Sequence, residues 1–376
     1  MSKTVLITGA AGFVGHHMVE HFLKNTDWKV IGVDCLNYSG TWERLRDVII
    51  VEPGKIPVTG YAHPNFTPLT YDFRRPAEPN LLRELRDVTH ILHLGAESHV
   101  DASIADPLKF VRSNVEGTVN MLNAARKLPN LELFVYFSTD EVFGPAPMLD
   151  PKNPPHPYDE IAKKGFPEDY KHDPKNPYAA SKSAAEQFVT SFANTYGLPC
   201  IITRQMNIFG ERQHAEKFIP LCIRAARDGE KVFIHGTPDK KRAGVRSYIH
   251  ARNVADAHLW LLKEKPWLSK KSWEKTPEAY HIVGEIEIDN LKLAQTINDY
   301  VKAVNKCAKG LDTEIVDFHS SRAGHDLRYA LDGRKIEGLG WKPPKTFHTG
   351  LKKVVEWTLE NYKWIDEIWL KEQSKK

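Results

Sequence analysis

Six side chains in two short stretches carry the types and spacing that proton chemistry needs. Ser138, Thr139, Asp140 and Glu141 follow Phe134–Phe137, an apolar run that reads as a short buried strand. The polar group therefore emerges at the strand's C-terminal end, where open α/β sheets place their ligands. Tyr178 and Lys182 lie four apart in a run that opens a helix after Pro177, which puts a phenol and an ammonium on one helical face. An unperturbed tyrosine titrates at about 10 and a nearby cation favours the phenolate, so Lys182 is expected to make Tyr178 a usable base near neutral pH. A YxxxK pair by itself is also an ordinary feature of surface helices; its weight comes from the elements that carry it.

Those elements begin at the N-terminus. Thr4–Thr8 is a β-branched, apolar strand that runs straight into Gly9-Ala10-Ala11-Gly12-Phe13-Val14-Gly15. Glycines at this spacing suit a tight strand-to-helix turn over which a pyrophosphate lies on backbone N–H groups at the helix's positive end. The following helix carries Val14, Met18, Val19, Phe22 and Leu23 on one stripe, and a second strand, Val30–Val33, ends in Asp34. An acidic side chain about 20 residues past such a turn accepts hydrogen bonds from a ribose 2′-OH and repels a 2′-phosphate, which favours NAD over NADP.

Further along, residues 51–70 show prolines and no clear period and read as a loop or irregular insertion before a short strand ending at Asp72. Ile91–Leu94 leads into Gly95-Ala96-Glu97-Ser98, small residues that let a cofactor approach the backbone. Pro107–Lys127 reads as a long helix with Leu108, Val111, Val115, Val119 and Leu122 inward, and a second long helix covers Tyr178–Tyr196. Alternating strands and helices to about residue 205 specify an α/β fold with a parallel, doubly wound sheet. Met148–Lys175 is a proline-rich, charged loop, either a lid over the site or a plain surface excursion. Beyond Arg204 the order is less regular. Helices are expected near Lys217–Arg227, through Leu262, over Leu291–Val304 and around Val354–Leu359, with strands at Val232–Ile234, Ser247–Ile249 and 280–283. These segments look like a smaller cap over the mouth of the sheet.

Composition narrows the class. The 376 residues are 41% hydrophobic and 27% charged, which suits one large globular domain or two. A net charge of +4, with basic runs only at Lys240-Lys241-Arg242 and Lys375-Lys376, is too mild to imply a nucleic-acid partner. Cys35, Cys200, Cys222 and Cys307 form no CxxC pair, which fits a reducing cytoplasm and no metal site. Val5–Thr8 is too short for the apolar core of a signal peptide, and no run approaches the ~18 apolar residues of a membrane span.

With the glycine turn, Asp34, Ser138-Thr139, Tyr178 and Lys182 in this order, the chain resembles the extended short-chain dehydrogenase/reductase superfamily, whose members oxidise nucleotide sugars with bound NAD. Thr139-Asp140-Glu141-Val142-Phe143-Gly144 looks like the TDEVYG signature of the dTDP-glucose 4,6-dehydratase family. Leu94-Gly95-Ala96-Glu97-Ser98-His99-Val100-Asp101, Glu216-Lys217-Phe218-Ile219-Pro220, Arg322-Ala323-Gly324-His325-Asp326 with Arg328-Tyr329, and Gly340-Trp341-Lys342-Pro343 with Glu356-Trp357 extend the likeness over most of the chain. The resemblance implies a Rossmann-type NAD-binding domain over 1–205, with 245–283 returning to it. A smaller C-terminal α+β substrate-binding domain would be built from 206–244 and 284–376. It also implies a homodimer through the two long helices.

Carried over residue by residue, the family pattern makes Thr139, Asp140, Glu141, Tyr178 and Lys182 catalytic. Tyr178 takes the proton of the hexose 4-hydroxyl, Thr139 binds the same oxygen and Lys182 holds the nicotinamide ribose; Glu141 removes the C5 proton and Asp140 protonates the departing 6-hydroxyl. Gly9, Gly12, Phe13, Val14, Gly15, Asp34, Asp72, Phe73, Leu94, Ala96 and Ser98, together with Tyr178 and Lys182, map onto the NAD site, Asp72 as partner of the adenine. Ser98, Thr139, Asn207, Lys217, Phe218, Arg246, Arg322 and Asp326 map onto the sugar nucleotide, the arginines suiting pyrophosphate oxygens. The chain departs from the pattern at His281, where a YNIGG strand has asparagine, at Phe233 and His235, where the strand near the base has proline and tyrosine, and in the longer, more basic segment Thr237–Gly244. These departures leave the base open between thymine and uracil. The other readings are a UDP-glucose dehydratase, a UDP-sugar 4-epimerase, and a cofactor-binding regulator without turnover.

Overall fold

The computed structural model describes residues 3–37, 40–46, 63–148, 160–269, 276–317 and 327–373. Its centre is a parallel sheet. β1 (Thr4–Thr8) is apolar and buried throughout and is followed through the glycine turn by α1 (Phe13–Asn25). β2 (Lys29–Asp34), β3 (Phe66–Thr70), α2 (Pro79–Glu84) and β4 (His90–His93) come next, then α3 (Val100–Ala105) and α4 (Pro107–Phe110). A π-helical turn, Val111–Glu116, leads into α5 (Gly117–Ala125) and β5 (Leu133–Thr139). After α6 (Glu160–Lys164), the 20-residue α7 (Pro177–Tyr196) and β6 (Cys200–Gln205), the chain leaves the sheet.

The rest of the chain contains β7 (Asn207–Phe209), α8 (Phe218–Asp228), β8 (Lys231–Gly236), β9 (Val245–His250) and α9 (Ala251–Glu264). β10 (Glu278–Ile282), β11 (Glu287–Asp289), α10 (Asn290–Val304), β12 (Asp312–Asp317), α11 (Arg334–Gly338), α12 (Phe347–Glu360) and α13 (Tyr362–Gln373) complete it. No described helix is long and apolar enough to cross a membrane.

Seven strands form one sheet in the order β10-β6-β5-β4-β1-β2-β3, all neighbours parallel. The chain winds one way from β1 to β3 and the other way from β4 outward, so the order reverses between β1 and β4. That reversal opens a crevice at the strands' C-terminal ends. One face is covered by α1 and α9, with Met18, Val19 and Phe22 packed in one core with Val254, Leu261 and Leu262. The other is covered by α5 and α7, where Leu122, Val189 and Phe192 meet Ile91 and Phe134. A separate core holds the smaller α+β part together, built from Ile219 and Ile223 of α8, Ile234 of β8, Leu293 and Ile297 of α10 and Leu351 and Val355 of α12. Its strands pair as β11-β9-β7 and β12-β8, while β10 joins the large sheet beside β6.

Three expectations need correction. The helix over Pro107–Lys127 is not uniform: the π-helical turn widens it, Phe110 and Leu122 face the core, and Leu108 and Val111 are 63% and 47% exposed. Asn114, inside that turn, explains the shift. It is buried, accepts from the Glu97 N–H at 2.8 Å and donates to Ser181 Oγ at 2.9 Å, so a polar side chain takes the inward position that periodicity assigns to an apolar one. The strand expected to end at Asp72 stops at Thr70, because Asp72 forms a turn with Arg74 and Arg75. Residues 51–62 of the irregular insertion and 149–159 of the proline-rich loop lie outside the described residues. What is described of that loop is in part ordered core: Phe166 packs with Phe143, Val142, Tyr329 and Leu331.

Candidate active site

The strand-to-helix turn is built by close backbone approach. Gly9 has φ +69°, a Cβ on it would stand 2.9 Å from Gly95 Cα, and a Cβ on Gly15 would stand 1.9 Å from the Gly9 carbonyl oxygen. Gly12 begins α1 with no side-chain cap, and the first helical residues, Phe13 and Val14, line a cavity of about 340 Å³. Their N–H groups belong to the helix's positive end, so the cradle suits a pyrophosphate.

Asp34 stands at one end of this cavity. Its carboxylate accepts from the Ala11 N–H at 3.0 Å and the Leu36 N–H at 2.9 Å, and burial raises its pKa against these bonds. Gly9, Gly15, Phe73, Leu94, Ala96 and Ser98 form the walls, and Thr139, Tyr178 and Lys182 close the far end. Asp72 is not among the lining residues: its two oxygens are held by Arg74 at 2.6–3.0 Å. A shape that runs from a ribose-reading carboxylate over a phosphate cradle to a hydroxyl-bearing end fits a dinucleotide.

At the far end, β5 delivers Thr139 and then a 3₁₀ turn, Asp140–Phe143. Asp140 is 6% exposed; it accepts from Thr139 Oγ1 at 3.1 Å, and its other oxygen is buried with no hydrogen-bond partner among the described residues. Burial first, and then the neighbouring Glu141 charge, push its carboxyl up to about 7, against the Thr139 hydrogen bond and Arg246. Glu141 is held differently: Asn176 Nδ2 donates to its Oε2 at 2.8 Å and the Tyr329 hydroxyl donates to the same oxygen at 3.4 Å. Two adjacent carboxyl groups thus occupy unlike environments, one dry and one fixed by two donors. An acid and a base side by side need such a difference.

α7 brings the phenol across. Asn176 caps it, accepting from the Ala179 N–H at 2.8 Å, and Pro177 fills its first helical position. Burial, Glu141 and Asp140 raise the Tyr178 phenol, while a hydrogen bond with Thr139 opposes them. Here the expectation about Lys182 is overturned. Its Nζ donates to the Phe137 carbonyl at 2.6 Å and lies 4.3 Å from the Tyr136 ring centre, and burial pulls its pKa down to about 7. Lys182 shares the helical face and the cavity with Tyr178, but in this structure it does not lower the phenol.

A second cavity of about 410 Å³ adjoins the first, sharing Ser98 and Lys217 with it. Asn207, Phe218 and Arg246 line it, Arg246 lying 4.6 Å from the Tyr329 ring centre. Of the departures from the family pattern, Phe233 and His235 are on its wall. His281 is fully buried, bonded through Nδ1 to the Asp332 carbonyl and through Nε2 to Arg204, and has no place in either cavity. Asp140 and Glu141 line neither cavity; Thr139 on one side and Tyr329 on the other connect them to both. Arg322 and Asp326 lie outside the described residues.

Sequence reasoning missed Cys35, Asn37, Ser113, Gln205 and Met206 in the first cavity and Leu221, Tyr248, Asn290 and Leu327 in the second. Nothing local distinguishes these from ordinary loop or core residues. Asn176 and Tyr329 had a signal: one immediately precedes the helix-opening proline, and the other adjoins a segment already assigned to substrate.

Residues 5–272 match the model of the NAD dependent epimerase/dehydratase family. The dTDP-glucose 4,6-dehydratase 1 of Escherichia coli K12 is 34% identical over 373 residues, 97% of this chain and 95% of that one. Among solved structures, DesIV, a dTDP-glucose 4,6-dehydratase from Streptomyces venezuelae with NAD and TYD bound, superposes with a TM-score of 0.76 at 32% identity, covering 97% of this chain and 99% of that one. The dTDP-glucose 4,6-dehydratase of Bacillus anthracis in complex with NAD gives 0.75 at 28% identity, covering 98% and 100%.

Proposed function

The chain belongs to the NAD dependent epimerase/dehydratase family and, within it, to the dTDP-glucose 4,6-dehydratases, and from that footing we propose how its own residues divide the work. It is an NAD-dependent lyase that converts dTDP-glucose to the 4-keto-6-deoxy sugar and water. Held by these residues, NAD would supply the hydride acceptor for C4 of the hexose and the hydride donor for C6, and its oxidised form would add a positive charge favouring ionisation of the phenol.

Tyr178 accepts the proton of the 4-hydroxyl, and Thr139, bonded to that phenol, binds the same substrate oxygen. The resulting 4-keto group acidifies the C5 proton, which Glu141 removes while Asn176 and Tyr329 hold it in place. Asp140, whose carboxyl keeps its proton up to about 7, delivers it to the departing 6-hydroxyl, so that oxygen leaves as water. The single observation that carries this assignment is the contrast within the pair: a buried carboxyl with one oxygen unpartnered among the described residues, beside one fixed by two donors. Lys182 holds the cofactor's ribose, and Asp34 the ribose at the other end. Asn207, Lys217, Phe218 and Arg246 bind the nucleoside diphosphate in the second cavity, and Arg322 and Asp326 complete that set. The cofactor part is 1–205 with 245–283, and the substrate part is 206–244 with 284–376.

Incubation with dTDP-glucose and with UDP-glucose, followed by mass spectrometry, tests the reading. A product lighter than substrate by one water is expected from dTDP-glucose. Turnover of UDP-glucose alone would move the base to uracil, in which case Phe233 and His235 of the second cavity become the residues to exchange. An inert protein that still binds NAD would support a non-catalytic role instead.

The enzyme is also a homodimer in this reading. Ile104, Leu108, Val111 and Phe188 stand exposed on α3, α4 with its π-helical turn, and α7, elements packed against one another. A second copy of the same face would cover them. All four cysteines are free thiols, as a cytoplasmic enzyme would keep them.

A further inference from the structure

Arg44 is almost completely buried, at 1% exposure, in a 3₁₀ turn (Trp42–Leu45) that neither the glycine motif nor the substrate segments include. A buried arginine needs partners for its donors, and this one directs them to backbone. Its Nη1 donates to the Ala11 carbonyl at 3.1 Å and its Nε to the Arg212 carbonyl at 3.2 Å. The first bond reaches the middle of the glycine turn. The same Ala11 residue donates its N–H to Asp34 Oδ2 at 3.0 Å, and its carbonyl also accepts from the Thr41 N–H at 3.0 Å. One residue's backbone is therefore fixed from both sides, by the Asp34 carboxylate at its N–H and by Arg44 at its oxygen. The second bond reaches the loop after β7, where Arg212 adopts a left-handed φ of +62°, a conformation strained for a residue that carries a side chain. Trp364 of α13 covers the guanidinium, its ring centre 5.3 Å away.

Resting on the assignment of Asp34 to the cofactor ribose, we propose that Arg44 is a positioning residue for NAD: its bonds to the Ala11 and Arg212 carbonyls lock the glycine turn that also holds Asp34, and bring its guanidinium charge to that end of the cofactor site. Burial works to protonate Asp34, and Arg44 is the side-chain charge that opposes it, alongside the backbone N–H groups of Ala11, Leu36 and Cys35. Three other ionisable groups stand near this pair among the described residues. His16 on α1 is held neutral by burial, and burial also pushes the Cys35 thiol up. Arg212 turns its guanidinium to Trp357, 4.9 Å from that ring's centre. A protonated Asp34 has lost its charge and turned one oxygen into a donor, so it accepts a ribose hydroxyl less strongly and NAD affinity falls as pH drops through the Asp34 pKa.

The test measures NAD binding to the full chain by calorimetry across roughly pH 5 to 8, for the wild type, Arg44→Met, Arg44→Lys and Asp34→Asn, with thermal melts to confirm folding. Arg44→Met is expected to weaken NAD by roughly 10- to 100-fold at neutral pH, the scale of one lost charge-assisted contact, and to move the acid fall in affinity to higher pH. Arg44→Lys keeps the charge and is expected to keep the wild-type pH dependence while losing part of the affinity. If Arg44→Met unfolds, Arg44→Lys compared with Trp364→Ala, which admits water to the guanidinium, carries the same comparison of pH profiles. Wild-type affinity and pH dependence in Arg44→Met would overturn the proposal and leave the ribose assignment standing. So would equal losses in Arg44→Met and Arg44→Lys with no change in pH profile, since that is the signature of packing alone. Wild-type affinity in Asp34→Asn would overturn the ribose assignment and the proposal with it.

Discussion

Replacing Asp140 by asparagine tests the acid at the centre of the site through two readouts that move in opposite directions. The carboxyl titrates at about 7 in the folded protein against 3.8 for a free aspartate, because it is buried and stands beside Glu141. The folded state therefore holds this proton more tightly than the unfolded chain does. Below the unfolded value both states are protonated and the group costs nothing. Between the two values the unfolded chain ionises first and stability falls as pH rises; above about 7 the folded state carries a buried anion and the full penalty is present. At about 1.4 kcal/mol per pH unit, the distance from 3.8 to about 7 corresponds to about 4 kcal/mol. An asparagine side chain has no such proton to lose. Asp140→Asn is thus expected to be more stable than the wild type at pH 8 by up to that amount, with the difference shrinking to nothing near pH 4. Activity goes the other way: without a proton to give to the departing hydroxyl, dehydration is expected to slow by about a hundred- to ten-thousand-fold. The wild-type rate should fall above about pH 7 as the acid ionises. Urea unfolding at a series of pH values, run beside dehydration assays on the same preparations, measures both. A stability difference that does not change with pH, or a variant less stable than the wild type at pH 8, would refute the argument, since either means that Asp140 is ionised and satisfied in the folded state.

Glu141→Gln keeps the hydrogen-bonding shape but removes the base, so C4 oxidation should proceed and elimination stall; reduced-nicotinamide absorbance should build up on adding substrate, and its failure to appear would move the base elsewhere. The same variant removes a charge that holds the Asp140 pKa up, so the Asp140 titration should shift to lower pH. Tyr178→Phe should slow the first oxidation by about a hundred- to ten-thousand-fold in single-turnover absorbance traces, and a wild-type trace would exclude the phenol as acceptor. Asn176→Ala removes both the cap of α7 and a donor to Glu141, with about 1 kcal/mol of stability lost in denaturant titrations and a further loss of kcat that a cap alone does not explain. Leu108→Glu places a charge on the proposed dimer face; the wild type should elute from gel filtration at dimer size and the variant at monomer size, and a monomeric wild type would discard the interface.

Local patterns were readable because local physics produces them. The strand Thr4–Thr8, the turn from Gly9 to Gly15 and the stripe of Met18, Val19 and Phe22 follow from β-branching, missing side chains and helical period, and each appears where the sequence places it. The end of β5, read at Phe137 and found two residues later at Thr139, and the start of α7, read at Tyr178 and found at Pro177, are of the same kind, and these two junctions carry the proposed catalytic groups. The inward face of 107–127 was misread because periodicity assumes a regular helix. A π-helical turn changes the register, and the polar Asn114 is held inside by partners from β4's following loop and from α7, which no window of sequence contains.

Residue order alone settles which chemical groups exist and which local element presents each: a phosphate-cradling turn, an acidic strand end, an acid–base pair, a phenol four residues from an ammonium. Their electrical state was decided only by the fold. Asp140 holds its proton because burial and Glu141 make ionisation costly, Lys182 is taken up by the Phe137 carbonyl instead of by Tyr178, and Asp72 is claimed by Arg74. A pKa measures the free energy of a charge among all its neighbours, and those neighbours come from strands and helices far apart in the chain. Residue type and spacing say nothing of how much water, or which distant charge, a folded side chain will meet.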